Sequence, residues 1–220
     1  ALAALAWPNR PAAPPTPASI TGMASDLSTN SARPLSTEAR AVHAAATPID
    51  LHADTPKLLS RGYDFARRHD TSWPVSAFAG HVDLPRMQEG NQRGQFFTMW
   101  TFPKPEAGCA ADVHRQIDAV ERTVRDNADA MALCRSGQDV RDARAQGKVA
   151  ALLGIEGGHA LERGDPAVVI ERLTTFAERG VRYLGVLHFS RNALGYPAMG
   201  WGQDHSRGLT PLGCEVVDAC

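Results

Sequence analysis

Residues 148–161 read KVAALLGIEGGHAL. Val149–Ile155 is an unbroken apolar run of strand length, the pattern of a strand covered on both faces in a parallel sheet. The run stops at Glu156. A carboxylate at the end of a buried strand is costly unless it is ion-paired or metal-bound, and both readings stay open. Gly157 and Gly158 follow and let backbone pass close to whatever Glu156 binds. His159 next to them reads as packing or supporting that neighbourhood.

Working outward, the rest of the chain repeats the strand–helix alternation. TEARAVHAAA at 37–46 suits a short helix that stops before Pro48. In PIDLHADTP, Ile49, Leu51 and Ala53 alternate with Asp50, His52 and Asp54, which predicts a strand. QFFTMWTF at 95–102 is a second strand. Val113, Ile117, Val120, Val124, Ala128 and Met131 recur at spacings of three and four, predicting one amphipathic helix over 112–134. Ser136 with Asp139 makes a capping box for a shorter helix that Gly147 ends. Asp165–Pro166 opens a helix running to Arg179, stopped by Gly180. VRYLGVLHF at 181–189 is a further strand, and Thr210–Pro211 opens a helix that enters Cys220.

Strands separated by helices predict an α/β fold with a parallel sheet. Four strands make a small open sheet but cannot close an eight-stranded barrel. The final helix carries no Gly, Pro or basic last turn as a stop, so the chain is expected to be a piece of a longer protein. Residues 1–35 are rich in Ala, Pro, Ser and Thr without apolar periodicity, and are expected to form a disordered tail. Their opening ALAALAW resembles either the end of a signal-peptide apolar region or a plain Ala-rich linker. A basic start and an initiator Met are missing. Periplasmic or extracellular export and a cytoplasmic location both stay open.

Composition narrows the function. The 220 residues are 43% hydrophobic and 21% charged, as in a globular chain. Lys+Arg 23 against Asp+Glu 24 gives net −1, which leaves no electrostatic footprint for nucleic acid. No stretch reaches the ~18–20 consecutive apolar residues of a membrane-spanning helix. Cys109, Cys134, Cys214 and Cys220 form no CxxC pair and read as free thiols rather than as two disulfides. Eight histidines make metal or acid–base chemistry worth seeking.

That chemistry gathers at strand ends, where ligand sites of parallel α/β folds lie. His52 and Asp54 sit two apart on one strand, so both side chains leave the same face. An imidazole and a carboxylate there suit a divalent transition metal, zinc first, although His-x-Asp alone is a weak pattern. His188 ends YLGVLH and reads as a ligand, a general base, an oxyanion donor or a hydrogen-bonded core histidine. Asn192, four residues on, orients either His188 or the substrate. His81, Asp83, Asp204 and His205 are further polar candidates, and His69 and His114 read as solvated surface residues. Competing signatures (GxSxG, Walker loop, GxGxxG, HExxH) are absent from the sequence.

In order, IDLHADTP, HVDLPRMQEGNQRGQFF, LLGIEGGHAL, GVRYLGVLHFSRN and GLTPLGCEVVDAC resemble segments of the membrane dipeptidase (renal dipeptidase) family, zinc hydrolases of the amidohydrolase superfamily. The resemblance runs from about residue 37 to the end. It implies a parallel (β/α)8 TIM-like barrel, of which residues 36–220 would be the amino-terminal part with about half the strands. It implies hydrolysis of dipeptides at two zinc ions: His52 and Asp54 would bind one, Glu156 would bridge both, and His188 would be catalytic, contacting the substrate and stabilising the oxyanion. Asn192 matches a recurring family position and is grouped with His188 as substrate-binding. The two histidines of the second zinc and the acid–base aspartate would lie beyond Cys220, so these 220 residues alone are expected to be inactive. The resemblance leaves homodimer formation and lipid or membrane anchoring open. Two other readings compete: a barrel metallohydrolase for another amide or lactam, and a non-catalytic pseudoenzyme or binding fragment.

Overall fold

The computed structural model describes residues 34–69, 80–102 and 107–220. The expectation for residues 1–35 therefore falls outside the described residues, apart from Pro34 and Leu35. The described residues divide into two units between Val42 and His43. The first described element is helix α1, Thr37–Ala45.

The second unit is built on one parallel sheet. Its strands are β1 (Ile49–Ala53), β2 (Gly94–Trp100), β3 (Met131–Leu133), β4 (Val149–Glu156) and β5 (Val181–Gly185). The apolar run at 149–155 is the central strand β4, buried along its length up to Glu156. Along one edge it pairs with β2 over its whole length, Ala150 opposite Gly94 through Glu156 opposite Trp100. Its other edge is shared: β3 takes Val149–Ala151 and β5 takes Leu153–Glu156. β1 pairs on the far side of β2. Among the described residues the sheet stays open, an arc of the (β/α)8 barrel that the sequence anticipated.

Helices α2 (Thr55–Leu59), α3 (Leu84–Glu89), α4 (Cys109–Asp126), α5 (Gly137–Ala145), α6 (Pro166–Glu178) and α7 (Pro211–Ala219) connect or flank the strands. Three of them, α5, α6 and α7, start where the sequence signals them. Ser136 accepts from Asp139 N–H, Asp165 from Ala167 N–H and Thr210 from Gly213 N–H, each satisfying a donor the helix cannot satisfy itself. α4 lays Val113, Ile117, Val120 and Val124 into the core, where Phe97, Leu153, Ile155 and Phe176 are sealed from solvent.

Two expectations need correction. The helix expected over 112–134 stops at Asp126. Asn127 closes it, its side-chain amide donating to Thr123 C=O, and Met131 belongs to strand β3 instead. Met131 is nevertheless buried, in the same core as Val113, Ile117, Val120 and Val124. The strand expected over 181–189 ends at Gly185, so His188 rides on the loop after β5. The four cysteines form no disulfide, and Cys109 and Cys134 are buried.

Asp83 also has a defined task. Fully buried, it caps α3 by accepting from Arg86 N–H at 3.0 Å, and accepts from His69 N–H at 2.9 Å and from the Arg86 guanidinium. Burial pushes its carboxyl up, but these hydrogen bonds outweigh burial and hold it below the usual carboxylate range. A depressed folded-state value adds stability that is present above the ordinary carboxylate range and lost as pH falls through the depressed value. Asp83→Asn is therefore expected to cost about 1–3 kcal/mol near neutrality, and the gap to wild type should close on acidification. Urea titrations across the acid range measure this; a gap independent of pH would refute it.

Candidate metal centre

The carboxyl ends of β1 and β4 bring three ligand-type side chains together. His52 Nε2 lies 3.3 Å from Asp54 Oδ1 and 3.5 Å from Glu156 Oε2. One ligand atom from each of the three lies within 4.8 Å of the others. His52 is near the end of β1, Asp54 is the residue before α2, and Glu156 closes β4. The Glu156 carboxylate faces two histidines, because its Oε1 lies 3.5 Å from His188 Nε2.

The donor set fits a zinc-type ion. Atoms ~2.0–2.2 Å from a common tetrahedral centre stand about 3.3–3.6 Å apart, the spacing found around His52 Nε2. Two carboxylates held this close also repel each other unless a cation or proton lies between them.

A tyrosine that sequence reading did not single out reaches the same cluster. The Tyr183 hydroxyl donates to Leu51 C=O at 3.1 Å, bonds Thr98 Oγ1 at 2.5 Å and lies 3.3 Å from His52 Nδ1. Register explains how: Thr98 on β2 is opposite Gly154 on β4, and Gly154 is opposite Tyr183 on β5. A Cβ at Gly154 would fall inside the Tyr183 ring, so the absent side chain is the slot the ring fills. Burial pushes the phenol above its ordinary value. Its Thr98 hydrogen bond works the other way, while the charges of Glu156, Asp54 and Asp50 add to the rise. Tyr183 therefore keeps its proton near neutrality.

The His188 loop is held from beneath. Asn192, buried, donates through Nδ2 to Val186 C=O at 2.9 Å and accepts from Leu194 N–H at 2.8 Å. Both ends of its amide thus shape the loop carrying His188. Buried His159 pairs its Nε2 with Ser190 Oγ at 2.9 Å, in keeping with a supporting role. Gly157, at φ +89°, would bring a Cβ to 3.2 Å from His188 Cβ, so glycine serves here both for its backbone conformation and for the close approach.

Beside the cluster opens a cavity of about 650 Å³, whose walls include Lys57, Arg61, His81, Trp100 and Phe102. Lys57 is tied to Asp112 and sits 5.4 Å over the Trp100 ring. His81 thus borders the site, whereas Asp83 serves α3 and Asp204 is engaged with Ser206. His69 and His114 are not simply solvated. His69 stacks on Tyr63 at 4.0 Å. His114 packs on Phe176 at 4.8 Å, and burial followed by the Arg179 charge lowers its pKa.

The sequence pattern of the membrane dipeptidase family (Peptidase family M19) matches residues 36–220. The chain belongs to the membrane dipeptidase family. Among its relatives, Dipeptidase tcpJ of Claviceps purpurea (strain 20.1) is 32% identical over 76% of this chain and 40% of its own length. Dipeptidase ataJ of Aspergillus terreus (strain NIH 2624 / FGSC A1156) is 28% identical over 66% of this chain and 36% of its own. The solved structure of dipeptidase AC, a metallopeptidase of the same M19 family, superposes with a TM-score of 0.58 at 26% identity, covering 79% of this chain and 53% of that one. The chain thus spans well under two thirds of the length of these membrane dipeptidase relatives.

Proposed function

We propose that His52, Asp54 and Glu156 are part of the zinc centre of a dipeptidase, and that the intact protein hydrolyses dipeptides there. The observation that supports this is the convergence of the three side chains from two non-adjacent strands, at the sheet end where His188 also faces Glu156. Zinc, when bound, supplies a Lewis acid and an activated water at neutral pH. His52, Asp54 and Glu156 would hold one ion, and Glu156, whose two oxygens face His52 and His188, would share its carboxylate with a second. His188, on the loop fixed by Asn192, donates from its ring to the peptide carbonyl oxygen as that oxygen gains charge. Asn192 acts on the substrate through this loop. Trp100 and Phe102 form the wall against which the substrate lies.

His188→Ala in the intact protein is expected to cut dipeptide turnover roughly 10²–10³-fold, the effect of losing one oxyanion donor, with zinc per chain unchanged. Zinc content measured beside turnover decides it. Loss of a full zinc equivalent would make His188 a ligand, and unchanged turnover would make it structural. A zinc-loaded protein that spares dipeptides but opens another amide or lactam would move the substrate class. One that turns over neither would leave a binding protein.

A further inference from the structure

We propose that Arg61 sets the substrate preference of the site, receiving the side-chain carboxylate of a dipeptide that carries Asp or Glu. The dipeptidase reading supplies the place of the peptide backbone, at the metal centre and His188; the cavity wall supplies the rest.

That wall is unbalanced. Apart from His52 and Asp54, which belong to the metal cluster, its titratable residues are Lys57, Arg61 and His81, with no further carboxylate among the described residues. The chain as a whole is close to balance, Lys+Arg 23 against Asp+Glu 24, so the excess is local. The Lys57 charge is already met inside the protein, by Asp112 and by the face of Trp100. Arg61 is exposed and forms no ion pair with a described residue. The chain that bears it is nevertheless fixed. The Tyr63 hydroxyl donates to Val82 C=O at 2.9 Å, and Leu84 N–H donates to Phe65 C=O at 2.9 Å. These two bonds hold the segment of His81 against the segment of Arg61, so both basic groups face one cavity.

A guanidinium offers a carboxylate two parallel N–H donors, a geometry that a neutral amide does not match. Trp100 and Phe102 on the same wall cover the methylenes between a substrate's backbone and its carboxylate, and apolar cover strengthens charge pairing relative to open water. A Lys or Arg side chain entering the cavity meets a like charge and is rejected.

Two isosteric pairs test this on the intact protein: Glu-Ala against Gln-Ala, and Ala-Glu against Ala-Gln. In one of the pairs kcat/KM for the Glu member should exceed that for its Gln partner about 10–100-fold, the worth of a hydrogen bond to a charged group. Calorimetry on metal-free protein should show the same member bound more tightly. Arg61→Gln should bring both ratios close to one, and Arg61→Glu should move the preference to a Lys side chain at the same position. Equal values within both pairs in wild type overturn the proposal, and so does a Glu preference that survives Arg61→Gln. If Arg61→Gln weakens Ala-Gln as much as Ala-Glu, and the carboxyl-terminal amide of Ala-Gln does not feel the change, Arg61 holds the chain-terminal carboxylate and the side-chain assignment falls. A calorimetric Glu preference that depends on Arg61, without turnover of any of the four dipeptides, keeps the Arg61 assignment and removes the dipeptidase reading.

Discussion

Zinc should cease to stabilise the protein when Glu156 is replaced by Ala. Glu156 lies in contact range of both His52 and His188, so its loss takes away the carboxylate that joins the two sides of the site. The drop in zinc affinity should exceed the ~10–100-fold that residues merely orienting a ligand give. At a zinc concentration 100 times the wild-type dissociation constant, wild type gains about 2.7 kcal/mol from binding, and Glu156→Ala should gain close to none. The metal-free variant carries a second signature. Removing Glu156 relieves its repulsion with Asp54, so without zinc the variant should be no less stable than wild type. A glutamate serving only as an ion-pair partner would behave oppositely: the metal-free variant would unfold more easily and the zinc response would survive. Thermal unfolding with and without zinc separates the two.

The largest effect on stability is expected at Phe97. Its side chain is fully buried at the middle of β2, and its ring meets Phe65 edge-on at a centroid distance of 5.4 Å. Phe97→Ala removes the ring and leaves a void that the surrounding strands cannot close, at a cost of about 3–5 kcal/mol. That is a large part of the ~5–15 kcal/mol that holds a domain together. In urea the midpoint should fall with an unchanged slope. A loss under about 1.5 kcal/mol, the range of well-tolerated core swaps, would show that β2 is not packed as described. Ala53 pairs with Phe97 across the sheet, so the variant should also loosen β1 and the His52 side of the centre.

The apolar run at 149–155 announced the central strand because burial on both faces left no polar position to confuse its period. Ser136, Asp165 and Thr210 announced their helices because a cap is a local contract between neighbouring residues. His52, Asp54 and Glu156 were legible for a similar reason: each stands at a strand end, and parallel topology puts those ends together. β3 was hidden because three residues are too few to show a period, and Ala128 and Met131 happen to continue the phase of the helix before them. Tyr183 was hidden more deeply. Its place at the site depends on which residues of β2, β4 and β5 stand side by side, and that lateral register is set by tertiary pairing rather than by any spacing along the chain.

The row Thr98–Gly154–Tyr183 has a consequence for how such a chain can change over time. A side chain can enter at position 154 only after the ring at 183 has gone, and once the ring has gone the row is left with an unfilled gap. Either first step is unfavourable by itself, so the two positions are bound by a coupling energy of the size neighbouring residues show, about 0.5–3 kcal/mol. Drift through this part of the barrel interior therefore has a required order, and lineages that took the step at 183 first would find the way back closed by whatever side chain had since settled at 154.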